Sequence, residues 1–352
     1  MNRRMLLQGL VRGAIAGAAA AVAGCNARPV GGREVLYASA FSLPKSVDEA
    51  LWLDFERRIE SALPDYDVRL LIRGETGPEE QTFASLRRDR VQIAGGSFAG
   101  VATLVPEIAL LSVPFLFEDE DEVDFVMDRY MLQPFRRLFA AQDLYLLHWT
   151  EVGWVNLYGK RPMLRPEDAR GQRVRASSSI ASQAFIREIG ADTITMPFSD
   201  VVPSLQTGLI DAGVTSVTMY ALSGISTEAP NYTLTRHSYD MGVLLANQRW
   251  LEGLEPRAHA VVSLGFGGAA QTRRRARDAV SQLTRTLPGK GVRLFELEPE
   301  ARARWREATW PAHEKLVARI GGSARQIYDT LLEGKRAWAA ARAATGGPAP
   351  PA

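Results

Sequence analysis

Residues 164–211 constrain the fold of this chain more than any other segment, because strand and helix patterns alternate there between clear stop signals. Residues 172–175 follow a glycine turn and alternate as a strand does, and residues 193–196 form a second run of β-forming residues. A helical pattern follows each strand, and the two helices are predicted to end at Gly190 and Gly208. This order predicts a βαβαβ unit with a parallel sheet.

Arg175 stands at the carboxyl end of the first strand of this unit. Open α/β sheets place their ligands at the carboxyl ends of strands. A guanidinium is planar and can donate two parallel hydrogen bonds to a carboxylate. The residues alone leave two interpretations open: Arg175 binds a ligand, or it is a surface arginine at a strand end, an interpretation that also applies to Arg173 on the same strand.

The rest of the chain continues the alternation of strands and helices. A first βαβαβ unit is predicted between residues 35 and 94. A strand at 144–149 leads to Gly153, which we interpret as a crossing between two lobes, and residues 243–247 are predicted to cross back.

Helical periodicity dominates the C-terminal part of the chain. It predicts three long helices, over residues 273–287, 299–320 and 324–343. The acidic run at 118–124 is interpreted as the solvated start of a helix rather than as a cation site.

The N-terminus carries a pattern typical of a targeting segment. Arg3 and Arg4 precede a run of small and apolar residues that is too short to span a membrane comfortably. The run ends in Val-Ala-Gly before Cys25, a sequence similar to a bacterial lipobox, and Cys25 is the only cysteine of the chain. We therefore predict a lipoprotein signal peptide at 1–24 and a lipid anchor on Cys25; a plain signal peptide with a chance cysteine is the alternative. Export by the general or by the twin-arginine route stays open.

The composition of both ends predicts little structure. A short tether with proline and glycine is expected at 25–32, and a Pro/Ala/Gly-rich tail at 344–352 is predicted to be disordered.

Composition and spacing exclude several classes of function. The formal net charge is +2, and no basic stripe suggests a nucleic-acid partner. The four histidines do not show metal-binding spacing, one cysteine cannot build a zinc cluster, and no phosphate-binding loop is present. Residues 95–99 differ from a nucleophile elbow at their last position, Ala99. We therefore predict no catalytic residues, no metal and no cofactor.

Three ordered segments carry a family resemblance: Pro-Glu-Asp-Ala-Arg-Gly at 166–171 with Arg175, Met-Pro-Phe-Ser-Asp at 196–200, and Leu-Gln-Thr-Gly-Leu-Ile-Asp at 205–211. As a set they resemble the substrate-binding proteins of tripartite ATP-independent periplasmic (TRAP) transporters, the dicarboxylate-binding-protein-like family. The resemblance covers most of the chain after residue 33.

The resemblance implies an α/β fold of the two-lobed periplasmic binding protein type, with hinge-crossing strands and long C-terminal helices. It implies a first lobe built from 33–152 plus 241–280, and a second lobe built from 153–240 plus 281–343. The protein is expected in the periplasm, with a small organic acid and the TRAP membrane subunits as partners, and with the membrane surface reached through the lipid anchor.

The resemblance also implies a binding site in the cleft between the lobes. Arg175 falls on the arginine with which the family clamps a substrate carboxylate, and Phe198 falls on an aromatic wall. Thr215 falls on a polar position that is usually asparagine. The positions that line the first-lobe side are Glu79, Ser97 and Ser39.

Two departures from the family pattern change the expected ligand. Where many members carry a second cation, this chain reads Gly153-Trp154-Val155, and residues 211–215 lack the usual glutamate and asparagine. With Trp154 beside it, the site is expected to be less polar, so we predict a monocarboxylate with an apolar body. A ligand that is not an acid, with Arg175 kept for structure, is one alternative. A lipoprotein that reports to a signalling receptor and a secreted enzyme using the same cleft are the others.

Overall fold

The computed structural model describes residues 32–344. The predicted signal peptide, the predicted tether up to residue 31 with Cys25, and the predicted tail beyond residue 344 lie outside the described residues. Every helix within residues 32–344 is too short or too polar to cross a membrane.

The described part of the chain contains one mixed sheet of nine strands in the order β2-β1-β3-β8-β4-β7-β5-β6, with β9 pairing on β8. The strands are β1 (Glu34–Ser39), β2 (Tyr66–Leu71), β3 (Ile93–Ser97), β4 (Leu144–Gly159), β5 (Arg173–Ala176), β6 (Asp192–Thr195), β7 (Ala212–Ser216), β8 (Asn231–Asn247) and β9 (Arg293–Glu296).

Helices cover the sheet and fill the connections between strands. They are α1 (Val47–Ala62), α2 (Glu79–Arg87), α3 (Phe98–Val101), α4 (Glu120–Val126), α5 (Leu132–Ala140), α6 (Ile180–Glu188), α7 (Val201–Thr207), α8 (Val217–Leu222), α9 (Ile225–Glu228), α10 (Gln248–Gly253), α11 (Pro256–Leu264), α12 (Ala269–Thr286), α13 (Pro299–Thr309), α14 (Ala312–Ile320) and α15 (Ala324–Ala344).

The sheet has a parallel group of strands at each end and two long antiparallel strands between them. β1 pairs in parallel with β2 and β3 in one group, called the first lobe, and β5 pairs in parallel with β6 and β7 in the other, called the second lobe. The two predicted βαβαβ units are therefore confirmed. β4 and β8 pair with each other along their length and join both lobes, since β3 pairs with β8 and β7 pairs with β4.

The crossing strands are longer than predicted. The sequence pattern placed the end of a strand at residue 149, whereas β4 is a single strand of 16 residues that continues through Gly153. The register of β4 against β8 shifts between Glu151 and Gly153, and Gly153 has a φ of +94°. A bulge with a glycine in this conformation lets the strand bend without ending, and a local pattern that breaks at glycine hides such continuity.

Each lobe has apolar cores on both faces of its part of the sheet. In the first lobe, Trp52, Phe55 and Phe266 pack ring against ring between α1 and the residues after α11. In the second lobe, Tyr158, Tyr220 and Tyr232 form a buried aromatic row under α7 and α8.

The C-terminal helices differ from the prediction at one point. The single helix predicted over 299–320 is two helices, α13 and α14, because Pro311 separates them and a proline cannot continue the hydrogen bonding of a helix. The C-terminal helices form ion pairs with the acidic run at 118–124, so its side chains are not only solvated, in contrast to what the sequence pattern predicted. Arg302 and Arg306 pair with Glu118, and Lys335 of α15 pairs with the buried Glu122.

Candidate functional site

Arg175 lies inside the second lobe, near the end of β5, with 6% of its surface exposed. Nε and Nη2 of its guanidinium both donate to the backbone oxygen of Met196, at 3.3 and 3.1 Å. Its Cζ lies 5.9 Å from the ring centroid of Phe198. Arg175 on β5 and Phe198 in the turn after β6 are distant in the sequence but are in contact in the fold.

Within residues 32–344, no carboxylate lies within salt-bridge distance of Arg175, and burial lowers the pKa of its guanidinium. Arg273, which is also buried, pairs with Asp124 at 2.9 Å and with Asp128 at 2.6 Å. The charge of Arg175 is held by one carbonyl and one aromatic ring, and this arrangement is suited to receiving an anion.

Arg173, two residues earlier on β5, is in a different environment. It is exposed, and its Nε and Nη2 donate to the two carboxylate oxygens of Asp211 at 3.0 and 2.9 Å. These hydrogen bonds lower the pKa of Asp211. Residues two apart on a strand share a face of the sheet, so the two arginines differ in burial and in pairing: Arg173 already has the carboxylate partner that Arg175 lacks.

Glu79 and Ser97 meet on the first-lobe side. The backbone N–H of Ser97 donates to Glu79 at 2.9 Å, and the Ser97 hydroxyl donates to the other carboxylate oxygen. Burial raises the pKa of Glu79, and the hydrogen bonds from Ser97 oppose that rise. A Cβ at Gly100 would lie 2.6 Å from a Glu79 oxygen and one at Gly96 would lie 3.1 Å from the other. Gly96, which lies in the segment compared with a nucleophile elbow, and Gly100, which follows that segment, make room for this carboxylate.

Ser39, at the end of β1, lies in a separate hydroxyl chain. Its hydroxyl bonds Thr76 at 2.8 Å, and Thr76 bonds Thr82 at 2.6 Å. Thr82 lies on α2, the helix that begins with Glu79, so the chain connects β1 to the element that carries the acid.

One hydrogen bond joins the two lobes beside these residues. The hydroxyl of Ser178, three residues after Arg175, donates to Glu80 at 3.1 Å. Glu80 follows Glu79 in the first turn of α2. This bond brings the start of α2 next to the residues that follow β5.

Thr215 and Trp154 lie on two neighbouring strands of the sheet, β7 and β4. Thr215 is buried on β7, two residues beyond the partner of Arg175 in the sheet, so both side chains occupy one face. Trp154 lies on β4 beside the bulge and packs edge-on against Tyr239, with centroids 4.8 Å apart. Within residues 32–344, no hydrogen bond, ion pair or ring contact joins either residue to Arg175.

Sequence reasoning missed Tyr158, which is buried on β4 on the face that Arg175 occupies. It lies nine residues past the predicted end of its strand at residue 149, so the sequence pattern did not assign it to a face of the sheet. No group of three or more His, Cys, Asp or Glu side chains within residues 32–344 is arranged to hold a metal ion.

Comparison with known proteins agrees with this architecture. Residues 48–320 match the family described as bacterial extracellular solute-binding protein, family 7. The chain therefore belongs to this family. A relative from Rhodobacter capsulatus, the C4-dicarboxylate-binding periplasmic protein DctP, is 22% identical over 258 residues, which cover 72% of this chain and 78% of the relative.

Two solved structures show the same fold. The sugar acid binding protein DctPAm from Advenella mimigardefordensis, in complex with galactonate, has a TM-score of 0.80 at 23% identity and covers 86% of this chain and 98% of its own. A TRAP periplasmic solute-binding protein from Shewanella oneidensis with bound succinate has a TM-score of 0.80 at 19% identity and covers 86% and 99%. The predicted two-lobed α/β fold and the assignment to the TRAP solute-binding proteins are confirmed.

Proposed function

We propose that this protein captures an organic acid in the cleft between its lobes and presents it to the membrane subunits of a TRAP transporter. One observation carries the proposal: Arg175 is buried near the end of β5, and no carboxylate within the described residues neutralises it. A buried charge is costly unless it is paired, and an anionic ligand supplies the pair.

The hydrogen bonds of Arg175 determine how an acid is held. The carbonyl of Met196 occupies the edge formed by Nε and Nη2 and fixes the plane of the guanidinium. The end formed by Nη1 and the second hydrogen of Nη2 is left for the ligand. A carboxylate bound end-on there receives two parallel hydrogen bonds, and the Phe198 ring limits the plane in which it lies.

The charges around Arg175 favour a monocarboxylate. The other predicted site residues carry no positive charge, and Glu79 is itself an acid. A second ligand carboxylate would enter the cleft without a cation among these residues. The Phe198 and Trp154 rings suit an apolar ligand body better than a second charge. The acids printed for the relatives, galactonate, succinate and C4-dicarboxylates, support the class of organic acids.

The bulge in β4 supports a closing motion of the two lobes. We propose a first lobe of 33–152 plus 241–280 and a second lobe of 153–240 plus 281–343, with Gly153 in the hinge. The hinge motion encloses the acid, and the membrane subunits recognise the closed form. No chemical step is expected, so an acid incubated with the protein should be recovered unchanged by mass spectrometry.

Anchoring at Cys25 completes the proposal. Removal of residues 1–24 and lipidation of the Cys25 thiol hold the protein at the periplasmic surface of a membrane. The full chain with Cys25→Ser should appear in the soluble periplasmic fraction, and the wild type in the membrane fraction. Equal distribution of both forms contradicts the anchor and leaves the binding proposal untouched.

A thermal-shift panel tests binding. Residues 26–352 are heated with sodium salts of galactonate, pantoate, pyruvate, phenylacetate and succinate, and Arg175→Ala is measured beside wild type. A ligand at a hundred times its dissociation constant stabilises the folded state by about 2.7 kcal/mol. We expect monocarboxylates to raise the midpoint of wild type and not that of Arg175→Ala.

Arg173→Ala is the matched control, because it removes an arginine from the same strand that already pairs with Asp211. It should keep the ligand-induced shift. Shifts that persist in Arg175→Ala, or that disappear equally in Arg173→Ala, contradict the clamp.

A further inference from the structure

The hydroxyl of Tyr158 is a buried polar group without a partner. Tyr158 is 1% exposed, and its oxygen has no hydrogen-bond partner within residues 32–344. The other two tyrosines of the same aromatic row are satisfied: Tyr220 donates to the oxygen of Ala229 at 2.8 Å, and Tyr232 donates to that of Thr215 at 3.0 Å. Buried hydroxyls nearly always find a partner, so the unpaired oxygen of Tyr158 stands out from two close neighbours.

The sheet register places this hydroxyl beside Arg175. Gly213 on β7 pairs with Tyr158 of β4 on one side and with Arg175 of β5 on the other. Residues paired in this way direct their side chains to the same face. Tyr158 and Arg175 therefore rise from one face, separated by a strand position that has no side chain.

The absence of a side chain at Gly213 allows the phenol to reach across β7. A Cβ at Gly213 would lie 2.2 Å from the Tyr158 oxygen, 2.4 Å from its Cζ and 3.0 Å from its Cε1. The hydroxyl end of the ring, not its base, covers Gly213, so the phenol extends from β4 towards the strand of Arg175. Any larger residue at position 213 would displace it.

The phenol keeps its proton in this place. Burial raises the pKa of Tyr158, and the nearby Arg175 opposes the rise only in part. The hydroxyl is therefore a neutral hydrogen-bond donor next to a cation, and both groups are unmatched by any acid within the described residues.

We propose that the Tyr158 hydroxyl is a third hydrogen-bond donor to the carboxylate held by Arg175, in a position that Gly213 makes available. The proposal rests on the function proposed above and names a specificity residue of that site. Two donors come from the end of the guanidinium and the third from the phenol. Three donors suit a carboxylate, which accepts at two charged oxygens, and disfavour a neutral amide or ester.

This arrangement compensates for the departures noted in the sequence. The second cation expected near residues 153–155 is absent, and Thr215 replaces the usual asparagine. A neutral phenol donor adds a hydrogen bond without adding a positive charge. The site thereby binds one carboxylate through three donors and provides no second positive charge for another carboxylate.

Tyr158→Phe tests the proposal, since it removes only the oxygen atom. The probe is whichever acid of the five-salt panel binds wild type most tightly, titrated calorimetrically. We expect the dissociation constant to rise by roughly 10-fold or more, the usual effect of losing a hydrogen bond to a charged group. The ligand-free variant should unfold at the same temperature as wild type or higher, because it loses no internal hydrogen bond.

Tyr220→Phe is the matched control from the same aromatic row. It loses the bond to Ala229, so the ligand-free protein should unfold at a lower temperature while the dissociation constant stays within about 2-fold. Gly213→Ala should weaken binding as Tyr158→Phe does, because the added carbon displaces the hydroxyl.

The outcomes separate this proposal from the one it rests on. If Arg175→Ala abolishes binding and Tyr158→Phe binds as wild type does, the third donor is refuted and the clamp stands. If Tyr158→Phe destabilises the ligand-free protein as much as Tyr220→Phe does, the hydroxyl has an internal partner and the proposal fails. If Arg175→Ala also binds normally, or no acid binds wild type, both proposals fail.

Discussion

Replacing Gly153 by alanine should lower the free energy of unfolding, although there is room for the added methyl group. A Cβ at Gly153 meets no heavy atom within 4 Å, so steric crowding is not the cause. The cause is the backbone, whose φ of +94° is rare for residues with a side chain. Gly153→Ala therefore isolates backbone strain at the bulge of β4.

The magnitude follows from this conformation. Holding a residue with a Cβ at positive φ costs about 1–2 kcal/mol, and the lower entropy of the unfolded alanine chain offsets about 0.4–1 kcal/mol of it. We expect a net loss of about 1 kcal/mol. If the bulge relaxes instead, the proposed hinge changes shape, and the affinity for acids falls while the free energy of unfolding stays close to that of wild type.

Gly253→Ala is the matched control. Gly253 ends α10, is exposed, and also has nothing within 4 Å of a built Cβ, but its φ is not positive. Alanine favours a helix over glycine by up to about 1 kcal/mol, so this variant should be as stable as wild type or more stable.

Urea unfolding followed by tryptophan fluorescence measures both variants, and the free energies of unfolding are compared at equal denaturant slopes. The reasoning is refuted if Gly153→Ala is as stable as Gly253→Ala and binds acids with unchanged affinity.

Two further predictions concern charged groups around β4. Arg273→Met should lower the free energy of unfolding by about 2 kcal/mol. This loss is below the usual 3–5 kcal/mol for a broken buried pair, because both aspartate partners reach water. Arg325→Met removes an exposed pair and should change the free energy of unfolding little in the same urea titration, and equal losses in the two variants would contradict the argument. Glu151 has a pKa raised to about 7, chiefly by burial, so the folded protein keeps its proton to higher pH than the unfolded chain and stability should fall as pH rises from about 4.5 to about 7. Glu151→Gln should flatten that fall in urea titrations across this range, and an unchanged slope would contradict the assignment.

Local sequence patterns were sufficient to predict the two parallel βαβαβ units of the fold. The βαβαβ unit of the second lobe was predictable because its strands and helices are short and a glycine follows each helix. The observed C-cap at Gly208 has the left-handed conformation expected of glycine. The same rule misled at Gly153, where a glycine with positive φ lies inside a long strand and does not end it.

Contacts between distant segments could not be predicted from such patterns. The sequence of the acidic run at 118–124 shows only its charge. Its ion-pair partners, among them Arg302 and Lys335, lie on helices close to the C-terminal end of the described residues. Tyr158 is another case, since its relation to Arg175 depends on the register of three strands and on the missing side chain at Gly213. Arg175 itself was identified through its place at a strand end and through the family resemblance; its burial and its lack of an acidic partner are visible only in the fold.

The most direct test of the central claim is the calorimetric affinity of wild type and Arg175→Ala for the same monocarboxylate and for its methyl ester. Removing one partner of a buried charge pair weakens binding by about 2–5 kcal/mol, so Arg175→Ala should bind the acid at least about 30-fold more weakly, and wild type should bind the ester as weakly as the variant binds the acid. Equal affinity of wild type for acid and ester, together with normal acid binding by Arg175→Ala, would show that the cleft does not recognise a carboxylate through Arg175.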